Sequence, residues 1–286
     1  MRRAPEPLAG RRVLVTGAAR GIGAATARRL HARGAKVALA GIEPDELRRT
    51  AAACGDAPMW ECDVAEREQV ETAVEAAAEA LGGLDVVVAN AGVAAQLPLV
   101  GGDPEIFERT LAVNTLGVYY TLRAAGPHIS HPRGYALAIS SLAAAVHPPL
   151  MGAYCASKAA VEALGDVLRA ELRPSGARVG VAYFAELDTD MTSRGFSTAA
   201  AKRLVPRQRV APLSAGIDAI ERGIARRSRR VWAPAWVAPL LHARTLLQLA
   251  AERATRRGLD ETLAVARGEH APLTTPQRDP AGSVTR

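Results

Sequence analysis

The chain has 286 residues, of which 49% are hydrophobic and 23% are charged, and this is the composition of a globular protein with a sizeable core. The sequence contains no uninterrupted run of about eighteen apolar residues, so no membrane span is predicted. The net charge of +7 suits nucleic acid or an anionic membrane, but the arginine clusters lack interleaved aromatic residues, so no nucleic-acid partner is predicted. We interpret the basic residues as parts of solvent-exposed helix faces, together with a site that binds a phosphate-bearing cofactor.

The cysteines are isolated from one another at positions 54, 62 and 155. They form no CxxC pair and no metal-ligand spacing, so no metal site is predicted. An odd number of scattered thiols is typical of a reducing compartment. Residues 1–10 also lack the apolar segment of a signal peptide, and we therefore expect a cytoplasmic protein.

The first predicted elements are a strand over residues 12–16, a glycine-rich turn over 17–23 and a helix over 24–33. Glycines let the backbone approach a pyrophosphate, and a helix N-terminus supplies N–H groups and partial positive charge. The turn reads G-x-x-x-G-x-G rather than G-x-G-x-x-G. It predicts nucleotide binding, with a simple tight turn as the alternative.

The second predicted strand, residues 36–40, ends at Gly41. Sites for NAD usually carry an acidic residue near this strand end, where it binds the ribose hydroxyls. Gly41 has no carboxylate to repel a 2′-phosphate, and Arg20 can reach one. The sequence therefore favours NADP over NAD, and Glu43 is the residue that would bind the ribose of NAD instead.

Strands and helices continue to alternate along the chain. Further strands are predicted over residues 58–61, 85–89, 135–139 and 178–184, with helices between them. This alternation predicts an α/β fold, a Rossmann-type doubly wound parallel sheet, in a single domain over residues 9–233. Right-handed crossovers place the C-terminal ends of the strands at one edge, where a crevice forms. The segments at these ends contain Gly17, Asp63, Asn90 and Ser141.

Residues 141–158 contain the pattern with the clearest chemistry. Tyr154 and Lys158 are four residues apart in a predicted helix, which places both side chains on one face. An ammonium group beside a phenol lowers the tyrosine pKa from about 10 toward the working pH. Such a tyrosine can exchange a proton with a carbonyl or hydroxyl oxygen, and Ser141 can hold the same oxygen. An exposed amphipathic pair is the alternative.

Asn114 lies inside a helix predicted over residues 104–125, which Asp103 can cap. Asparagine is unfavourable inside a helix because its side chain competes for backbone hydrogen bonds. Asn114 is therefore either an exposed polar residue or a kink that orders a water molecule.

Taken together, these residues resemble the short-chain dehydrogenase/reductase family over about residues 9–195. The motifs that carry the resemblance follow in family order: Thr16 to Gly23, Asp63, Asn90-Ala91-Gly92, Asn114, Ser141, Tyr154-x-x-x-Lys158 and Thr189. The resemblance implies a catalytic set, namely Asn114, Ser141, Tyr154 and Lys158. It also implies a set of cofactor contacts, namely Gly17, Arg20, Gly21, Ile22, Gly23, Asp63, Val64, Asn90, Ala91, Gly92, Tyr154, Lys158, Leu187 and Thr189.

The resemblance implies a role for each catalytic residue. Tyr154 is the general acid/base, Lys158 lowers its pKa and binds the nicotinamide ribose, and Ser141 positions the substrate oxygen. Asn114 holds a water molecule in a proton relay. The implied reaction is hydride transfer between NADP or NAD and a substrate carbon, which interconverts a secondary alcohol and a ketone. The family also implies a homodimer or homotetramer.

Two cofactor contacts follow from the resemblance, Asp63 with the adenine and Thr189 with the nicotinamide carboxamide. The family usually has Pro-Gly after the sixth strand, where this chain has Phe184-Ala185. Alanine fits this turn if its φ is negative. The turn beneath the nicotinamide can still differ, and such a difference would change the local contacts of Leu187 and Thr189.

The substrate is expected to be hydrophobic, because loop residues near the catalytic segment are apolar. They are Leu142, Val146, Leu150, Met151 and Phe196. A non-catalytic nucleotide sensor of the same fold is an alternative function. The intact set of Ser141, Tyr154 and Lys158 argues against it.

Residues after 190 lie outside the motifs. We predict a substrate loop over 190–212, a helical extension over 234–266 and a disordered tail over 267–286. The tryptophans and leucines of the extension either pack on the domain or lie on an anionic membrane surface, as in a membrane-associated reductase. Pro234 and Pro239 interrupt any long amphipathic helix and favour packing.

Overall fold

The computed structural model describes residues 6–195, 198–204, 209–269 and 273–275, and its strands form one parallel sheet. The strands are β1 (Arg12–Thr16), β2 (Lys36–Gly41), β3 (Met59–Glu61), β4 (Val86–Ala89), β5 (Tyr135–Ile139), β6 (Arg178–Phe184) and β7 (Arg230–Ala233). Their order across the sheet is β3-β2-β1-β4-β5-β6-β7. Every adjacent pair is parallel, so the predicted doubly wound Rossmann-type sheet is confirmed.

Helices connect the strands and cover both faces of the sheet. They are α1 (Gly21–Ala32), α2 (Pro44–Ala52), α3 (Arg67–Leu81), α4 (Pro104–Leu111), α5 (Gly117–Ile129), α6 (Gly152–Glu171), α7 (Asp190–Gly195), α8 (Ala199–Leu204), α9 (Leu213–Arg226), α10 (Val237–His242), α11 (Arg244–Thr255) and α12 (Leu259–Gly268). No helix in the described part of the chain is long and apolar enough to cross a membrane.

The strand sequences divide the core into two layers. Val13 and Val15 of β1 pack into the layer under α1, α2 and α9, whereas Leu14 packs into the layer under α3, α5 and α6. Successive side chains of a strand point to opposite faces, so a run of apolar residues serves both layers at once. Complete burial of one Val or Leu side chain stabilises the fold by about 1.5–3 kcal/mol. This rigid sheet holds the segments that follow its strands.

The helix predicted over residues 104–125 is divided into two. Asp103 caps α4 by accepting a hydrogen bond from the Glu105 amide at 2.9 Å, as expected. A π-helical turn over Ala112–Leu116 then separates α4 from α5. Asn114 lies inside this turn and is fully buried. The alternative of an exposed polar residue is therefore wrong, and the residue marks an irregularity of the helix.

The C-terminal extension packs on the domain at α10. Val237 and Leu241 join a buried cluster with Ala144 and Tyr183, directly beside the segment that follows β5. The neighbouring α11 contributes Gln248, whose side-chain oxygen accepts a hydrogen bond from the backbone amide of residue 147 at 2.8 Å. The extension therefore supports the segment that carries Ser141.

The chain after α12 was predicted to be disordered over residues 267–286, and the structure differs from that prediction at Thr274. This residue is only 2% exposed. Its amide donates to the Ala94 carbonyl at 2.9 Å, and its hydroxyl accepts from the Ala94 amide at 2.9 Å. Paired hydrogen bonds of this kind satisfy backbone groups that would otherwise be buried without partners. Residues 270–272 and 276–286 lie outside the described residues.

Candidate active site

A cavity of about 390 Å³ lies at the C-terminal edge of the sheet, where β1 and β4 diverge. Most residues predicted for the site line it. They are Gly17, Arg20, Gly21, Ile22, Asp63, Val64, Asn90, Ala91, Gly92, Ser141, Tyr154, Lys158, Leu187 and Thr189. Gly23 and Asn114 do not line the cavity. Each contacts residues that line it, Gly23 beside Gly17 and Asn114 beside Val93.

The glycine turn forms a close backbone surface at one end of the cavity. Gly17 and Gly21 have φ values of +64° and +55°, a region that favours glycine. A Cβ atom on Gly23 would lie 2.1 Å from the Gly17 carbonyl oxygen, so Gly23 lets α1 pack directly on the turn. No described side chain caps the N-terminus of α1. This arrangement fits the pyrophosphate of a dinucleotide.

Asn90 joins the ends of β1 and β4 beneath this turn. Its side-chain amide donates to the carbonyls of Thr16 at 2.9 Å and Gly17 at 3.2 Å, and its backbone amide donates to the Thr16 hydroxyl at 3.1 Å. Asn90 therefore fixes the separation of the two strands at the point where the crevice opens.

Asp63 is held in place by groups that the sequence did not identify. One carboxylate oxygen accepts from the Ala65 amide at 3.0 Å, and the other accepts from the Arg109 guanidinium at 2.5 Å. Arg109 comes from α4 and belongs to no motif, so no local sequence signal pointed to it. Its contact fixes the orientation of the carboxylate, whereas the contact of Asp63 with an adenine stays a prediction.

Arg20, from the glycine turn, and Glu43, which follows β2, form an ion pair in the cavity wall. The Arg20 Nε donates to Glu43 Oε2 at 2.6 Å, a second guanidinium nitrogen contacts Oε1, and a third group, Asp190, lies 3.3 Å away. The two side chains that the sequence proposed for alternative cofactors thus contact each other. The pair is only partly exposed, with 26% of Arg20 and 11% of Glu43 accessible.

Tyr154, Lys158 and Ser141 converge at the other end of the cavity. Both Tyr154 and Lys158 extend from α6, and the Lys158 Nζ lies 5.5 Å from the centre of the tyrosine ring. The same ammonium donates to the Ile139 carbonyl at 3.0 Å. Ser141 follows β5, where its hydroxyl donates to the Phe184 carbonyl at 3.3 Å. The i, i+4 spacing therefore places the phenol and the ammonium on one face, as predicted.

The protonation equilibria of this group are dominated by burial. Burial lowers the pKa of Lys158 to about 8. Burial raises the pKa of Tyr154 to about 12. A hydrogen bond with the Ser141 hydroxyl opposes that rise, and the charges of Cys155 and Glu186 add to it. The expected lowering of the Tyr154 pKa toward neutral pH is not found, because loss of water around the phenol outweighs the favourable neighbours.

Asn114 connects the loop after β4 to α6. Its side-chain oxygen accepts from the Val93 amide at 2.8 Å, and its amide nitrogen donates to the Val93 carbonyl at 2.9 Å and to the Ser157 hydroxyl at 3.0 Å. Ser157 in turn donates to the Tyr154 carbonyl at 2.7 Å. This chain of bonds makes Asn114 a positioning residue for α6, and its role in holding a water molecule stays a prediction.

The turn after β6 tolerates the departure from Pro-Gly. The φ angle of Ala185 lies outside the left-handed region, as alanine requires, and its amide donates to the Ala233 carbonyl at 3.1 Å. Leu187 and Thr189 still line the cavity. Glu186 also lines it, although the sequence motif assigned no role to this position. The available signal in the sequence was a carboxylate between the apolar residues Ala185 and Leu187, directly after β6.

The apolar residues proposed for the substrate are divided by the structure. Leu142, Val146 and Met151 line the cavity. Leu150 instead packs with Ala200 and Ala266, under α8 and α12. Position 196 lies outside the described residues. Thr274 and Thr275 line the cavity as well, so part of its wall comes from the far C-terminus.

Comparison with known sequences identifies the family. A model of the short chain dehydrogenases matches residues 11–200. The chain is 33% identical over 212 residues to D-threitol dehydrogenase of Mycolicibacterium smegmatis, covering 71% of this chain and 82% of the relative. It is 32% identical over 213 residues to 3beta-hydroxysteroid dehydrogenase 1 of Eggerthella lenta, covering 70% and 81%. It is 36% identical over 202 residues to glycine betaine reductase of Emericella nidulans, covering 69% of this chain and only 16% of that relative.

Solved structures agree with the sequence comparison. A short chain dehydrogenase/reductase from Burkholderia phymatum in complex with NAD matches with a TM-score of 0.75 and 25% identity, covering 85% of this chain and 96% of that chain. A short chain dehydrogenase from Burkholderia cenocepacia in complex with NADP matches with a TM-score of 0.72 and 31% identity, covering 79% and 97%. The chain therefore belongs to the short-chain dehydrogenase/reductase family and is an NAD(P)-dependent oxidoreductase.

Proposed function

We propose that the protein interconverts a secondary alcohol and a ketone, with Tyr154 as the general acid/base. The convergence of Ser141, Tyr154 and Lys158 on one cavity wall is the observation that carries this proposal. The names of two relatives, D-threitol dehydrogenase and 3beta-hydroxysteroid dehydrogenase 1, support oxidation of a hydroxyl group. The apolar side chains of Leu142 and Met151 favour a substrate with a hydrophobic portion.

In this mechanism the residues of the chain orient the substrate and move its proton. Bound nicotinamide supplies or accepts the hydride at its C4 atom. Ser141 holds the substrate oxygen, and Tyr154 gives that oxygen a proton during reduction or removes one during oxidation. A phenol with a pKa of about 12 is protonated at neutral pH and is ready to donate. Oxidation additionally requires positive charge near the phenol, to which the Lys158 ammonium contributes.

Substitution of Tyr154 tests this role. Tyr154→Phe should lower turnover of an alcohol or ketone by about 10²–10⁴-fold, a much larger effect than its change in cofactor affinity. Tyr120→Phe, on α5, is the matched control and should retain activity. Loss of activity in both variants would indicate a structural effect, and full activity of Tyr154→Phe would refute the general-acid role. A wild-type chain that binds cofactor but turns over no alcohol or ketone would favour the sensor alternative.

The choice between NAD and NADP belongs to the Arg20–Glu43 pair. The absence of a carboxylate at Gly41 supports NADP, since Arg20 can contact a 2′-phosphate. The position of Glu43 beside Arg20 supports NAD, since its carboxylate can accept from ribose hydroxyls. We retain NADP as the proposed cofactor, and parallel fluorescence titrations with NADPH and NADH test it. Tighter binding of NADH would overturn that choice.

Self-association is proposed through the face formed by α5 and α6. Leu116 of the π-helical turn before α5, Tyr119 of α5 and Val167 of α6 are exposed by 44%, 43% and 56%, and large exposed apolar side chains favour an interface. A homodimer or homotetramer is expected by size-exclusion chromatography with light scattering. A Val167→Asp variant that leaves the mass unchanged would contradict this interface.

A cytoplasmic location is supported by the free, buried state of the cysteines at positions 54, 62 and 155. A membrane surface is the competing location, because Trp236 and Leu246 of the extension are 41% and 72% exposed. Co-sedimentation with anionic vesicles distinguishes the two. Equal pelleting of the full chain and a chain ending at residue 233 would exclude a membrane role for the extension.

A further inference from the structure

The substrate end of the cavity contains one carboxylate that the mechanism above does not use. Glu186 follows β6 and lines the same cavity as Ser141 and Tyr154. Its backbone carbonyl accepts from the Ala211 amide at 2.9 Å, which fixes the turn that presents the side chain. Burial is the main cause of the raised pKa of Tyr154, and the charge of Glu186 adds to it. Glu186 comes two residues after Phe184, whose carbonyl accepts a hydrogen bond from the Ser141 hydroxyl at 3.3 Å, and this places it on the Ser141 side of the cavity.

The surroundings of Glu186 are poor in compensating charge. Leu142, Met151 and Leu187, which line the same cavity, are apolar. No basic residue in the described part of the chain forms an ion pair with this carboxylate. The Lys158 ammonium is directed to the Ile139 carbonyl instead. Burial correspondingly raises the pKa of the Glu186 carboxyl above its usual range.

The carboxylate loses part of its hydration and is stabilised by a hydrogen bond from its own backbone amide, but no basic side chain in the described residues pairs with its charge. A positive charge on the bound substrate would replace the lost hydration. We propose that Glu186 determines specificity by binding an ammonium group of the substrate, so that the alcohol or ketone processed at Tyr154 also carries a protonated amine. The proposal rests on the proposed function of the cavity and adds the substrate class that the cavity selects.

The apolar side chains that line the same cavity as Glu186 are compatible with this substrate class. An alkylated ammonium group presents methyl or methylene groups around its charge, and these can contact Leu142 and Met151 while the N–H group contacts the carboxylate. A fully apolar substrate would leave Glu186 unpaired in the occupied cavity. A polyol would satisfy the carboxylate through hydroxyl groups but would leave the apolar wall without complementary contacts.

Two isosteric ketones test the charge directly. One carries a dimethylammonium group, and the other carries an isopropyl group at the same position, so that the two differ in charge and hardly in shape. The wild-type chain should show kcat/KM at least about tenfold higher for the ammonium ketone. In Glu186→Gln the preference should disappear through loss of activity toward the ammonium ketone. Asp188→Asn, an exposed neighbour with the same change in charge, should retain the preference.

The outcomes separate this proposal from the proposed function. An equal ratio of kcat/KM in wild type and Glu186→Gln would overturn the role of Glu186 while leaving the dehydrogenase function intact. Preference for a hydroxylated ketone over both isosteres would overturn the cationic assignment in favour of a neutral donor. If neither ketone is turned over, the proposed reaction fails, and thermal stabilisation of the chain with NADPH by each compound still measures the charge preference. Equal stabilisation of wild type by both compounds would then overturn the proposal.

Discussion

The ion pair between Arg20 and Glu43 allows a direct test of how the chain distinguishes its cofactors. The perturbation is Glu43→Gln, which removes one negative charge and keeps the size of the side chain. Arg20 remains in place, since Asp190 also contacts it at 3.3 Å. The variant therefore isolates the effect of the Glu43 charge on a phosphate bound beside Arg20.

The magnitude follows from the geometry of the pair. The Arg20 nitrogen lies 2.6 Å from Glu43, so a 2′-phosphate that also contacts Arg20 would lie about 5 Å from the carboxylate. Two unit charges at about 5 Å repel by about 3 kcal/mol at an effective dielectric constant of about 20. Solvent reaches part of this pair, so we expect about half of that repulsion, equivalent to about a tenfold change in affinity.

The assay is a fluorescence titration of each protein with NADPH and with NADH. Glu43→Gln should shift the ratio of the two dissociation constants about tenfold toward NADPH. Glu46→Gln is the control, because Glu46 lies in the first turn of α2, just after Glu43, but pairs with Arg49 at 2.6 Å. An unchanged ratio in Glu43→Gln, or the same shift in both variants, would refute the assignment of this pair to the cofactor ribose.

Two further predictions concern burial at the catalytic end. The pKa of Lys158 is lowered to about 8 in the folded chain, so the unfolded chain binds more protons between about pH 8 and 10.5. The free energy of unfolding of wild type, measured relative to Lys158→Met by denaturant titration, should therefore rise by up to about 3 kcal/mol over that range. A difference independent of pH would refute the buried ammonium, and the variant should also lose turnover. Thr274→Val leaves the Ala94 amide without its acceptor at a cost of about 1–3 kcal/mol, so KM for the ketone should rise while the dissociation constant of NADPH stays constant. Thr255→Val on α11 is the control, and equal kinetics of Thr274→Val and wild type would contradict a role for the tail.

The sheet and most of its functional edge could be predicted from local sequence. Apolar strands such as Val86–Ala89 have no solvent-facing side, which is typical of a parallel sheet with helices on both faces. Parallel strands then bring the segments containing Gly17, Asn90 and Ser141 to one edge, although they are far apart in sequence. Tyr154 and Lys158 required only the helical repeat.

Other parts of the site depend on contacts that no local pattern encodes. The Thr274 hydroxyl meets Ala94 across 180 residues, and Arg109 reaches Asp63 across 46. Such pairs are set by how whole helices and loops pack, so neither partner carries a distinctive spacing. The prediction of a lowered Tyr154 pKa was wrong for a related reason. The pKa depends on the loss of water around the phenol and on charges from other elements.

The charges around Tyr154 link substrate recognition to proton transfer. Burial is the main cause of the raised pKa of Tyr154, the charge of Glu186 adds to it, and the Lys158 ammonium lies 5.5 Å from the centre of the ring. If an ammonium group of the substrate pairs with Glu186, the negative charge acting on Tyr154 is offset, and the phenolate becomes easier to form. A neutral substrate would leave that charge in place and keep the tyrosine protonated to higher pH. The pH dependence of alcohol oxidation should therefore move to lower pH with an ammonium-bearing alcohol, and Glu186→Gln should produce the same movement with a neutral one.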